Sequence, residues 1–341
     1  MERIEEEEAM ENFYMINDRT IQVRTGVFGS VESYRCYSTG ELEGIQLSDK
    51  NMVVTHIGEL VPFYTETTRR KNKYSIEFYK DGMIKSVALE KQQEIYTPIG
   101  DFPAECVTFY STGELNRFFP LDGKISSFWT EEDEKALQIP LIFDLGFTRF
   151  KALMSCVALW KDGSIRSITL FPGEVINIKT SVGDIAVRNG FSLYQSGELE
   201  SLEPAGPVLI DTPIGRLTIF DPDALGITAD RNSLNFDKKG RVINLVTSEN
   251  RIAVQTESGH LKMIEPKLVV NQLDGETMIR QGLTIRFDYS RDQVVINDGD
   301  EDCSFSLSNA GFTIERVENP YWTCSSSQCA GCSMASYCFK N

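Results

Sequence analysis

The sequence predicts an all-β protein: tandem antiparallel β-hairpin repeats forming a long meander or β-solenoid, ending in a small Cys-rich knuckle. Three observations carry that prediction. A turn glycine recurs six times, in YSTGEL (Gly40), YKDGMI (Gly82), YSTGEL (Gly113), WKDGSI (Gly163), YQSGEL (Gly197) and DKKGRV (Gly240). A second motif follows most of them at a near-constant distance: THIG to Gly58, TPIG to Gly100, TSVG to Gly183, TPIG to Gly215 and TESG to Gly259, at offsets of 18, 18, 20, 18 and 19 residues. Between the glycines, apolar residues hold fixed columns. Internal repetition of this length marks an array of supersecondary units, each of which buries its apolar face against its neighbours.

The elements follow in order. Residues 1–30 hold an acidic segment, MERIEEEEAMENF, and a half-copy, RTGVFGSV around Gly29, that opens the array. Residues 31–264 form six hairpin repeats, because Asp-Gly, Ser-Gly and Thr-Gly supply the positive φ of tight turns. Four residues before each turn glycine stand Cys36, Phe78, Phe109, Leu159, Leu193 and Phe236; five after it stand Ile45, Val87, Phe118, Ile168, Leu202 and Leu245. These columns are the expected buried face, and the opposite face is wet. The third copy departs, reaching Gly146 only after 33 residues, and its extra TEEDEKALQ reads as a short exposed helix or loop. YTETTRRKNK (64–73) and FDPDALGITADR (220–231) are insertions at one edge and the first places to look for recognition. Residues 265–320 continue or cap the sheet through LTIRFDYS, QVVIND and GFTIERV, with NDGDED as a hairpin turn. That acidic turn, with Asp298, Asp300, Glu301 and Asp302, lacks the ordered ligand spacing of a calcium loop and reads as solvated.

Residues 321–341 carry the chemistry. Cys324, Cys329, Cys332 and Cys338 form a Cys-x4-Cys-x2-Cys-x5-Cys array. Four thiolates suit a [4Fe–4S] cluster or, alternatively, a tetrahedral zinc, and neither histidine is close in sequence. Zinc sites usually pair two Cys-x2-Cys knuckles across a hairpin, so the single closely wound stretch favours the cubane. The serines, Ala330 and Gly331 between the thiols allow backbone amides to approach the sulfurs.

The hairpin repeat resembles the MORN family, in particular its variant built on aromatic-x-x-Gly-x-Leu, as in residues 37–42 and 194–199. The interleaved Thr-Pro-Ile-Gly motif lies outside that family's pattern. The resemblance implies a scaffold that contacts proteins and sometimes lipid, and it speaks to architecture more than activity. Cys329, Cys332 and Cys338 are similar to part of the SPASM-type auxiliary cluster domains of radical SAM enzymes. The further cysteine of that pattern is absent here, as is the Cys-x3-Cys-x2-Cys stretch that holds the catalytic cluster of those enzymes.

Composition narrows the partners. A net charge of −16 and a pI near 4.7 oppose a phosphate backbone, so nucleic acid is not expected, and an anionic membrane is disfavoured. No basic, apolar leader and no run of about 18 apolar residues occurs, which predicts a cytoplasmic chain with reduced cysteines. Cys106 and Cys156 share a small-residue column with Ser33, Ser75, Gly190 and Ser233, Cys303 belongs to a buried strand, and His56 stands where two other copies carry Pro98 and Pro213. The aromatic column Tyr37, Tyr79, Tyr110, Trp160 and Tyr194 reads as repeat stacking rather than a carbohydrate platform. No phosphate loop, nucleophile elbow or metalloprotease helix is present, which argues against an enzyme. The expectation is a non-enzymatic scaffold or adaptor with a structural or redox-sensing [4Fe–4S] cluster and a protein partner. The alternatives are an electron-transfer component serving a separate redox enzyme, and a protein- or membrane-binding module with a structural zinc.

Overall fold

A computed structural model describes residues 15–17, 19–222, 224, 228–270, 275–276 and 278–317. The protein is all-β with antiparallel sheets, as expected, and it divides into two compact units: Met1–Ile142 with Lys151–Pro172, and Phe143–Phe150 with Gly173–Asn341. In the first unit the main sheet takes its strands in chain order, Val31–Cys36, Leu42–Leu47, Ile76–Phe78, Ile84–Thr97, Gly100–Phe109, Leu115–Phe119, Met154–Leu159 and Ile165–Leu170. The second unit does the same with Gly183–Leu193, Leu199–Pro204, Leu234–Phe236, Val242–Thr247, Leu283–Asp288, Gln293–Asn297 and Asp302–Ser306. Strict chain order with antiparallel pairing is a meander, the first of the two architectures the sequence allowed.

All six turn glycines make the same turn. Gly40 donates its N–H to Tyr37 O and Tyr37 donates to Glu41 O, and the pair recurs at Tyr79/Gly82, Tyr110/Gly113, Trp160/Gly163, Tyr194/Gly197 and Asp237/Gly240. The glycine φ values lie between +77° and +105°, a region that L side chains rarely adopt. Just past the turn each copy carries a bulge. Arg35 pairs with Gly44 and Cys36 with Leu42, which skips Glu43, and the same skip passes over Lys85, Asn116, Arg166, Glu200 and Ile243. This extra residue settles which side chains are buried. Residues two and five after the glycine differ by three and would face opposite sides of a regular strand, whereas the bulge turns both inward. Leu42 and Ile45, Ile84 and Val87, Leu115 and Phe118, Ile165 and Ile168, and Val242 and Leu245 are accordingly all buried. The two expected core columns are buried throughout, except for half-buried Cys36 on the edge strand.

The second motif builds its own hairpins over this core. In the four copies that open on Thr55, Thr97, Thr180 and Thr212, the threonine hydroxyl donates to the carbonyl of Gly58, Gly100, Gly183 or Gly215 at 2.6–2.9 Å. The same hydroxyl accepts the N–H of the residue just before that glycine. That is an ST-turn, which is why the motif opens on Thr. TESG differs: Gly259 donates to Thr256 O at 2.8 Å, the geometry of the first glycine turn. At the other irregular copy, Leu145 donates to Thr148 O at 3.0 Å, with Gly146 inside the turn. The hairpin tips reach other copies. Pro98 lies against Gly163, where a Cβ would strike its ring, and Ser181 hydrogen-bonds Gly240 O. His56 occupies the corresponding place and packs edge-to-face with Phe109, at 6.2 Å between centroids, a packing contact with another copy as Pro98 has.

TEEDEKALQ forms the helix Glu131–Leu137, started by Thr130, whose side chain caps Asp133 N–H while Asp133 caps Thr130 N–H. One residue departs from an exposed helix, because Glu134 is buried. Leu283–Asp288, Gln293–Asn297 and Asp302–Ser306 extend the main sheet of the second unit, and NDGDED turns the hairpin between the last two. GFTIERV instead pairs, as Gly311–Arg316, with Asn250–Gln255 in a separate three-stranded sheet.

Candidate functional site

Cys324, Cys329, Cys332 and Cys338 lie outside the described residues. Among the described residues no group of three or more His, Cys, Asp or Glu side chains is arranged to hold a metal ion, and no helix is long and apolar enough to cross a membrane. The four described cysteines, Cys36, Cys106, Cys156 and Cys303, form no disulfide. Cys156 and Cys303 are buried in strands, and the desolvation of half-buried Cys106 pushes its thiol well above its ordinary value. The acidic turn is matched by cations on neighbouring strands: Lys267 reaches Asp298 at 2.7 Å and Asp300 at 2.6 Å, Lys262 reaches Glu301 at 2.6 Å, and Arg286 reaches Asp302 at 2.7 Å.

The four tyrosines of the aromatic column are staples. Tyr37 donates its hydroxyl to Phe78 O, Tyr79 to Phe109 O, Tyr110 to Leu159 O and Tyr194 to Phe236 O, all at 2.7–2.8 Å. Each acceptor is the core residue four before the next copy's turn glycine. Lys80, Lys161 and Lys238 lie 5.4–5.6 Å from the rings of Tyr37, Tyr110 and Tyr194 and cover their faces. A phenol joined to its neighbour's backbone and roofed by an ammonium presents no open stacking platform.

Of the two insertions, the first is committed to structure. Arg69 grips two buried carboxylates, Glu134 at 2.7 Å through Nε and Nη2 and Glu105 at 3.0 and 2.6 Å through Nη1 and Nη2. Arg70 donates to Leu89 O at 2.6 Å and pairs with Asp122 at 3.3 Å, and Lys73 pairs with Asp122 as well. Trp129 Nε1 and Gly123 N–H complete the shell of Glu134, at 2.6 and 2.9 Å. Burial alone would raise Glu134, yet the hydrogen bonds from Arg69 and Trp129 hold it below its ordinary value. The network fastens the 64–73 insertion and the helix to the first unit's sheet.

The second insertion borders a cavity of about 320 Å³ in the second unit, whose polar wall includes Asn189, Glu203, Asp221, Arg231 and Ser233. At this wall the strand Gly183–Leu193 bulges: Arg188 pairs with Glu203 and Phe191 with Leu202, leaving Asn189 at φ +57° and Gly190 at φ +131° outside the ladder. Glu203 is 2% exposed, and its two oxygens accept Ser233 N–H at 2.9 Å and Ser233 Oγ–H at 2.8 Å. Arg188 stands 3.9 Å from it and donates to Asp221 O at 2.7 Å, with its guanidinium 5.0 Å from the Phe220 ring. Burial pushes the Glu203 carboxyl up to about 7, against the pull of Ser233 and Arg188. The small-residue column of the repeat contains Gly190 and Ser233, but nothing in that column points to Glu203. A different column does: six residues after the turn glycine the other copies carry Gln46, Ala88, Phe119, Thr169 and Val246, and only this one carries an acid.

Comparison with protein-family models, with curated proteins and with solved structures finds no match to this chain.

Proposed function

We propose that the chain is a non-enzymatic repeat scaffold, an adaptor for a protein partner, which carries a structural or redox-sensing [4Fe–4S] cluster on Cys324, Cys329, Cys332 and Cys338. One observation supports this reading above the others. The side chains that looked chemically capable along the repeats are engaged in joining one copy to the next: tyrosine hydroxyls on backbone carbonyls, His56 on Phe109, and the arginines of the first insertion on buried carboxylates. The described cysteines sit in the strands of the framework. The four tail thiols remain as a donor set with no such employment in the repeat pattern, and four thiolates are what a cubane takes. A bound cluster would supply a rigid cross-link and a one-electron couple.

Anaerobic purification with metal and sulfide analysis tests the proposal. The expected result is brown protein with about four iron and four sulfide per chain, and loss of both in Cys332→Ser. Colourless protein with about one zinc would overturn the iron assignment while keeping the ligands. Full metal occupancy in Cys332→Ser would remove the site itself.

A further inference from the structure

We propose that the cavity beside the 220–231 insertion binds a small zwitterion of amino-acid size, with the ligand's ammonium group against Glu203 and its carboxylate toward Arg231. The volume, about 320 Å³, falls at the lower end of the range of small-molecule sites, and the site is open to solvent on one side. The lining holds charges of both signs, Glu203 and Asp221 against Arg231, and only Ala224 and Val246 are apolar. With Arg188 3.9 Å from Glu203, two carboxylates stand with two arginines, a balance that favours neither a phosphate or dicarboxylate nor a simple polyamine. A molecule with one charge of each sign answers both signs of charge in the lining.

Glu203, Asn232 and Asn189 are held in place before any ligand arrives. Ser233 fixes both oxygens of Glu203, Asn232 is anchored through its amide to Ser201 Oγ at 2.7 Å and Ala229 O at 3.0 Å, and Asn189 to Ala224 O at 3.0 Å. Such preorganisation reduces the ordering cost of binding. The five other copies fill the same column with neutral residues, so the acid is particular to this copy, where it also takes up Ser233 N–H and Oγ–H. An ammonium group beside Glu203 offsets the desolvation that burial imposes on its charge. The charged groups around it are Arg188 on the neighbouring strand and Asp221 and Arg231 on the insertion.

Isothermal titration of the full chain with each standard amino acid at neutral pH is the test. For each binder, the N-acetyl derivative and the corresponding decarboxylated amine are titrated in parallel. The expected result is saturable one-to-one binding of at least one amino acid, with either derivative weaker by about tenfold or more. Glu203→Gln and Arg231→Gln should each weaken the amino acid by a similar factor. Arg231→Gln changes an exposed side chain, so it keeps the test decisive should Glu203→Gln disturb folding. No saturable binding up to about 10 mM, equal binding of an N-acetyl derivative, or indifference to both substitutions would overturn the proposal. The result is independent of whether the tail holds iron, zinc or neither.

Discussion

Replacing Glu203 by Gln should make the second unit less sensitive to pH, and the size of the effect follows from the carboxyl's surroundings. Burial raises this group from 4.5 to about 7, with Ser233 and Arg188 acting in the other direction and Asp221 adding to the rise. A carboxyl whose folded value exceeds its unfolded value binds its proton more tightly when folded. The stability it contributes is therefore complete below about pH 4.5 and is lost as the pH climbs through about 7. At about 1.4 kcal/mol per unit, the loss amounts to about 3 kcal/mol by pH 8. Gln keeps an oxygen for Ser233 N–H and offers its amide to Ser233 Oγ, but it has no proton to lose. The difference between variant and wild type isolates this residue from all other carboxyls. Hydrogen exchange of the amides in Leu199–Pro204 and Val242–Thr247, corrected for intrinsic rates, reads that difference locally without requiring the two units to unfold together. The variant should gain about 3 kcal/mol on the wild type between about pH 4.5 and pH 8. A difference that stays flat across that range would show that Glu203 is ionised throughout and would refute the argument from burial.

Two substitutions in adjacent columns separate packing from stapling. Phe109→Ala empties a buried aromatic position and should cost about 3 to 5 kcal/mol in denaturant unfolding of the first unit; a neutral result would mean that this face is not the core. Tyr110→Phe removes the 2.7 Å hydrogen bond to Leu159 O and the 3.3 Å bond accepted from Arg166 Nη1, so about 1 to 2 kcal/mol is expected, and a loss as large as that of Phe109→Ala would give the ring a role beyond the staple. Glu134→Ala leaves Arg69 with one of its two buried carboxylates and deprives Trp129 Nε1 and Gly123 N–H of their acceptor. A loss of about 3 kcal/mol is expected, together with faster proteolysis around the helix Glu131–Leu137, and unchanged cleavage would mean that the ion network does not hold the helix.

The two core columns were legible in the residues because the repeat displays them six times over, and chance does not align Phe118, Ile168, Leu202 and Leu245 at one offset. The ST-turn threonines were legible for the same reason. Less visible was the bulge. It depends on pairing between strands, and without it a strict alternation of two cannot put Leu42 and Ile45 on one face. The long return of Gly311–Arg316 to Asn250–Gln255 left no local trace either, since a strand's partner is set by the edge that lies open to it. Of the two insertions, composition alone made Arg69, Arg70 and Lys73 look like recognition groups. Their partners Glu105, Asp122 and Glu134 are remote along the chain, and only folding reveals that the charges are consumed.

What the amino-acid order determined by itself is the repeat: its turns, its inward columns and the four cysteines of its tail. These are local or periodic properties, written wherever a glycine must take a positive φ or an apolar residue must face inward. The tertiary structure alone decided which polar groups meet. Tyr110 finds Leu159 O, Arg69 finds Glu134, and Glu203 is shut beside Ser233 at the edge of a cavity. Desolvation and hydrogen bonding act over a few ångströms in space, whatever the separation in sequence, and so they are fixed only when the strands have paired.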